Sequence, residues 1–124
     1  MNTYVMKIVY CKIIPFKGFF ATNFFTLIIV RKRYKERVER GGCIIKRMLN
    51  HENIHSEQMK ETLFIGFYIL YLLNWLFNLI VCPKHAYKYI VFEQEAYANQ
   101  GNFDYIKHRK HYAWIKYLFK KPVK

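Results

Sequence analysis

The chain changes its hydrophobic period near residue 43, and that change divides it in two. Tyr4 to Ile14 reads YVMKIVYCKII, rich in β-branched and aromatic residues and closed by Pro15, which predicts a strand. Gly18 marks a turn, and Phe24 to Arg31 reads as a second strand. The run RKRYKERVERGG reads as a charged, solvated loop. From Cys43 the pattern is helical. With His51 as the zero of a helical wheel, Ile44, Met48, His55, Met59 and Thr62 fall within about 80° of it. Lys46, Asn53, Glu57 and Lys60 fall on the far side, so both histidines occupy the apolar face. Leu63 to Cys82 is a second, very apolar helix ended by Pro83. A third helix begins near Ala86, carries YIVFEQEAYANQ and breaks at Gly101-Asn102. A fourth, DYIKHRKHYAWIKYLFKK, runs to Pro122. The expected fold is α+β: two N-terminal strands and about four helices in one domain of 124 residues, without internal repeats.

Composition allows a core, with 53% apolar residues, and the aromatic share of 19% suits either tight packing or a membrane interface. The net charge of +13 directs attention to anionic partners. Its distribution argues against nucleic acid. Residues 1–61 carry 12 Lys/Arg against 5 acids, residues 83–124 carry 9 against 3, and an uncharged stretch separates them. Neither block matches a nucleic-acid-binding motif. Cys11, Cys43 and Cys82 are odd in number and widely spaced, which fits a reducing compartment better than a disulfide framework. Lys7, Lys12 and Lys17 interrupt the N-terminal apolar run, so no secretory signal is expected. These features predict a cytoplasmic or membrane-associated protein and specify no oligomeric state.

Candidate chemistry lies in MLNHENIHSEQ, where His51, Glu52 and His55 form H-E-x-x-H. On a helix this spacing places two imidazoles within reach of one ion, and the intervening glutamate can take a proton from a metal-activated water. With 5 His and 7 Glu, the motif arises by chance in about one such chain in a hundred, so alone it is a moderate signal. The bland alternative is a hydrogen-bonded pair of helix histidines. Against it, both side chains point inward, where an uncoordinated pair would need other buried partners. A carboxylate ligand is available in FEQEAYANQ, from Glu93 or Glu95; these lie about 200° apart on a helix, so only one can face a metal. His85, His108 and His111 read as surface residues, the last two among Lys107, Arg109 and Lys110.

H-E-x-x-H followed by E-x-x-A on a later helix resembles the gluzincin zinc metallopeptidases, nearest to the membrane-associated kinds, whose second motif reads E-x-x-A-D. The likeness covers His51–His55 and Glu93–Ala96. The layout from KIIPFKGF to FEQEAYAN further resembles a family of small bacterial proteins sharing both motifs, without a known substrate. The resemblance implies a minimal zincin-like domain binding zinc through His51, His55 and Glu93, with Glu52 as general base. Glu95 is the alternative ligand, because Glu95–Ala98 also fits E-x-x-A with Asn99 following. In the preferred register Tyr97 stands where the family has an aspartate that orients a histidine ligand, which leaves that orienting role unassigned. Tyr97 is read either as ordinary packing or as an oxyanion donor.

Leu63–Cys82 holds 20 residues without a charge, enough to cross a bilayer. A single crossing would put His51 and His55 on one side and Glu93 on the other, which no single metal bridges. The flanking charges also show no positive-inside asymmetry. Tyr71, Asn74 and Asn78 form a faint polar stripe. A buried or monotopic helix is therefore favoured over a span. The leading expectation is a zinc-dependent peptidase acting on an extended peptide, paired with the Phe24–Arg31 strand as an edge. The alternatives are a small basic membrane-associated protein without catalysis, and a zinc-stabilised interaction module.

Overall fold

A computed structural model describes residues 7–12 and 21–119. Its fold is α+β: a small sheet precedes a set of helices. Among the described residues the sheet has three strands, β1 (Lys7–Cys11), β2 (Ala21–Phe24) and β3 (Leu27–Arg31), in the order β1-β3-β2. β1 runs parallel to β3, with Lys7 opposite Leu27 and Cys11 opposite Arg31, and β2 runs antiparallel to it. The expected Phe24–Arg31 strand is therefore a hairpin. Its turn, Phe25-Thr26, takes positive φ at both positions (50° and 69°) without a glycine or asparagine to signal it. The side chain of Asn23 accepts from the Thr26 N–H at 2.9 Å, and the Tyr68 hydroxyl accepts from the Phe25 N–H at 3.0 Å. Tertiary partners thus hold a turn that local propensity disfavours. The outer ends of the expected Tyr4–Ile14 strand, and Gly18, lie outside the described residues.

The charged connector is not a loop. After a 3-10 turn at Lys32–Tyr34 it forms α1 (Lys35–Arg40), because Val38 can bury against the sheet while its charged neighbours stay in water. Gly41 and Gly42 then link it to the next helix at φ 72° and 112°, a conformation that L side chains rarely adopt. α2 (Cys43–Glu61) follows, then α3 (Ile65–Val81), bent from α2 by 108°. α4 (Val91–Asn99) starts five residues later than the sequence pattern suggests. The intervening 3-10 turn Pro83–His85 leads to an entry where Asn74 Oδ1 accepts from the Val91 N–H at 2.8 Å, supplying a partner for the helix start. The expected fourth helix is broken into α5 (Tyr105–His108) and a 3-10 segment, Ala113–Phe119. The break brings the Arg109 side chain between Glu61 and Glu95, and Glu61 also accepts from the Tyr112 N–H at 2.8 Å.

Two apolar clusters flank the middle of α2. Ile28 and Val30 of β3 pack with Val38 and Ile45, together with Met48 and Leu49. Beyond the histidines, Met59 joins Phe67, Ile90 and Phe92. α3 does not behave as a buried central helix: only Phe67 and Asn78 are buried along it. Exposure of most of its circumference corrects the buried half of that expectation. Among the described residues no single helix is long and apolar enough to cross a membrane, although α2 and α3, taken together as a bent pair, have the length and composition for it.

Candidate metal centre

The apolar face of α2 turns His51 and His55 into the space between the two clusters, where both are buried. α4 packs on α2, and its Ala96 is completely buried. One turn earlier, Glu93 brings Oε1 to 3.1 Å from Nε2 of His51 and 3.1 Å from Nε2 of His55. The two Nε2 atoms are themselves 3.2 Å apart. Three ligand atoms thus form a nearly equilateral triangle, as the sequence motifs anticipate for His51, His55 and Glu93.

Two kinds of occupant could hold such a triangle together, a proton or a cation. Hydrogen bonds satisfy only part of it. An N–H aimed at one corner is about 60° off the line to the other, and hydrogen bonds weaken steeply at such angles. A tetrahedral ion with ligands at about 2.0–2.1 Å separates its ligand atoms by about 3.3–3.4 Å, close to all three edges. The donor set of two imidazoles and one carboxylate also suits zinc.

The opposite sides of the ligands support the same reading. A carboxamide oxygen can only accept, and each histidine meets one at Nδ1: His51 donates to Gln100 Oε1 and His55 to Gln58 Oε1, both at 2.8 Å. With Nδ1 carrying the hydrogen, each Nε2 presents its lone pair to the centre. Gln58 cannot rotate out of this role. Its Nε2 donates to the Phe92 carbonyl at 3.0 Å and to Glu95 Oε1 at 2.9 Å, so its oxygen is left for His55. Glu95 in turn accepts from Tyr105 at 2.6 Å and from Arg109, which also grips Glu61 through both terminal nitrogens. On the His51 side, Asn50 donates to the carbonyls of Gln100 and Asn102 at 2.8 and 2.9 Å, pinning the turn that carries Gln100. Tyr71 donates to Glu93 Oε2 at 2.7 Å, leaving Oε1 for the histidines.

Each predicted residue can now be placed. Glu93 is at the centre, and Glu95 faces away from it, completely buried, where it accepts from Gln58 and Arg109. Tyr97 packs its ring on His51 (centroids 4.6 Å apart) and does not supply the orienting acceptor; Gln100 does. His85, His108 and His111 are exposed. The polar stripe of α3 faces inward: Tyr71 reaches Glu93, Asn74 serves Val91, and Asn78 donates to the Ala86 carbonyl. Sequence reasoning missed Gln58, Gln100 and Asn50. A wheel signal existed for Gln58, which lies seven residues after His51 and so shares its face.

Glu52 is not part of the triangle. It lines a cavity of about 280 Å³ together with His55, Glu93, Tyr68, Tyr71 and Tyr87. Burial raises its pKa; the two histidines oppose that and Glu93 adds to it. In the metal-free protein burial works against a charged His55, but the carboxylates of Glu93 and Glu52 outweigh it and push His55 up to about 9. Burial likewise opposes ionisation of Glu93, yet the charge and hydrogen bonds of the histidines hold it well below the usual carboxylate range. Burial raises Tyr71 and Tyr87, and the nearby Glu93 charge adds to the effect, so both stay protonated as donors.

Thr22 and Asn23 of β2 form another part of the cavity rim, and Asn23 donates to the Glu52 carbonyl at 2.8 Å and to Ser56 Oγ at 2.9 Å. This corrects the expected edge strand: β3 is paired on both sides, and β2 is the strand beside the cavity. Comparison with protein-family models, curated proteins and solved structures returns no match. The gluzincin resemblance therefore stands on H-E-x-x-H and E-x-x-A alone.

Proposed function

We propose that the protein is a zinc-dependent metallohydrolase, acting as a peptidase, with zinc held by His51, His55 and Glu93. The observation that carries this reading is the ligand triangle with both Nδ1 atoms satisfied from outside. Zinc bound there supplies Lewis acidity, polarising a carbonyl and lowering the pKa of water. Glu52 borders the same cavity with a raised pKa, which suits a group that takes a proton and then returns it to a leaving amine. Tyr68, Tyr71 and Tyr87 line the same cavity, and the Tyr71 proton is committed to Glu93 Oε2, so it orients that carboxylate rather than a substrate. β2 offers backbone polar groups beside the cavity for an extended chain.

The test is cleavage of a mixture of proteome-derived peptides by the zinc-loaded protein, read by mass spectrometry beside Glu52→Gln. Wild type should produce new peptide ends that disappear on chelation. Glu52→Gln should keep its zinc and lose turnover by at least about 100-fold. Equal cleavage by both proteins would contradict the role of Glu52. Zinc binding with no cleavage by wild type would favour a zinc-stabilised interaction module. The exposed face of α3 favours a membrane-associated protein, with or without catalysis.

A further inference from the structure

The outward face of α3 is the largest feature that the proposed chemistry leaves unused. Phe67, Tyr71, Asn74 and Asn78, spaced i, i+4, i+7 and i+11, turn toward the protein. Around the rest of the helix Ile65, Ile69, Leu72, Leu73, Phe77 and Ile80 stand exposed, Ile80 at 84%. The hairpin turn extends this surface. Phe24 and Phe25 are exposed beside it and share an apolar depression with Ile65, Ile69 and Leu72. Soluble monomers rarely expose contiguous apolar patches beyond a few hundred Å².

Its chemistry selects the occupant. Among the exposed hydrophobic side chains of α3 the sole polar group is the indole N–H of Trp75, which suits a headgroup boundary, whereas protein–protein interfaces use about one hydrogen bond per 100–200 Å². Hydrocarbon asks for none. Exposed cations stand at both ends of α3: Lys60 before it, paired with Glu57 at 3.0 Å, and Lys84 and Lys88 after it. Lys107, Lys110 and Lys116 are exposed in the C-terminal segment, among exposed Tyr112, Ile115 and Leu118. With a net charge of +13, this is a pattern suited to anionic headgroups. A crossing does not fit. Seventeen helical residues span about 25 Å, short of a hydrocarbon core of about 30 Å. The inner stripe of α3 also hydrogen-bonds Glu93, Val91 and Ala86, which a lipid-surrounded helix could not do.

We propose that the outward face of α3 and the Phe24–Phe25 turn dock the protein on an anionic phospholipid bilayer, with the helix lying in the interface plane. Tyr68 lines both the apolar depression and the cavity beside the metal centre, so docking brings that cavity close to the membrane surface. The docking does not depend on the metal reading, and zinc content measured alongside keeps the two separate.

The test is flotation of the purified chain with vesicles of phosphatidylcholine and phosphatidylglycerol in equal parts. The comparison variant is Ile69→Glu/Leu73→Glu/Ile80→Glu. All three sites are exposed, so the fold should persist, as circular dichroism and zinc content would verify. Wild type should float with mixed vesicles, and less with phosphatidylcholine alone or in high salt. The triple variant should partition about 100-fold more weakly. Wild type remaining at the bottom of the gradient, or a variant floating as well as wild type, would overturn the proposal. So would a wild-type dimer in lipid-free buffer that the variant dissociates, because a second copy would then cover the face.

Discussion

The two histidines meet the same carboxylate oxygen at the same distance, yet the structure supports them in different ways. His55 is backed by Gln58, Glu95, Arg109 and Glu61, a chain of buried groups tying α2, α4 and the C-terminal segment together. His51 is backed by Gln100, on the turn leaving α4, held by one asparagine side chain. The first support is part of what holds the molecule together. The second is local and half-buried. A change on the His55 side should therefore be felt as lost stability and weakened metal binding together, and one on the His51 side as weakened metal binding alone.

The largest expected effect separates the two glutamates of α4. Glu93→Ala should lose tight zinc binding, while Glu95→Ala should keep the site with affinity weakened by no more than about 10–100-fold and lose stability, as chelator competition and thermal unfolding would show. The reverse order would exchange their roles. Next comes Arg109→Met, which leaves Glu95 and Glu61 buried without their cation and should cost about 3–5 kcal/mol in denaturant unfolding. A change below about 1 kcal/mol would mean that the network is not structural. Smaller effects distinguish the carboxamides. Gln58→Leu should weaken zinc toward the upper end of the 10–100-fold range typical of outer partners, and Gln100→Leu toward its lower end, about 10-fold. Only Gln58→Leu should lower the melting temperature of the metal-free protein. Equal melting shifts would erase the asymmetry.

Proton linkage gives the last of these effects. In the metal-free protein His55 is raised to about 9, above its ordinary value near 6.5. Its contribution to stability is complete below about pH 6.5 and is lost as pH rises toward 9. Glu93 is shifted the other way, so its contribution is present above its ordinary value of about 4.5 and lost as pH falls below it. Because these are two sides of one interaction, metal-free stability should show a single plateau between about pH 4.5 and 6.5. Zinc must displace the His55 proton, so its affinity should fall about tenfold per pH unit below 9, a slope that titration at several pH values would measure.

What the sequence made legible follows the range of each signal. H-E-x-x-H, the inward wheel position of both histidines and the spacing to Glu93 are local patterns, and the structure brings those residues together. The wheel also held Gln58, but glutamine has no characteristic chemistry to mark it. Gln100 lies past the end of α4, where helical spacing no longer says where a side chain points. The hairpin was hidden because Phe25 and Thr26 are poor turn residues, held by Tyr68 and Asn23 from elsewhere in the fold. The break at Arg109 was hidden for a similar reason: two distant glutamates outweigh a locally acceptable helix. The apolar run of α3 and its polar stripe at Tyr71, Asn74 and Asn78 were plain, but the exposure of the remainder depends on how the other helices pack against it.

The proposed zinc site rests on three side chains from α2 and α4. Metal analysis of the purified protein, wild type beside His51→Ala, tests it most directly. Wild type should carry one zinc per chain through gel filtration, and His51→Ala should carry none at the same zinc concentration. Full zinc in both proteins, or none in wild type after loading, would contradict the account.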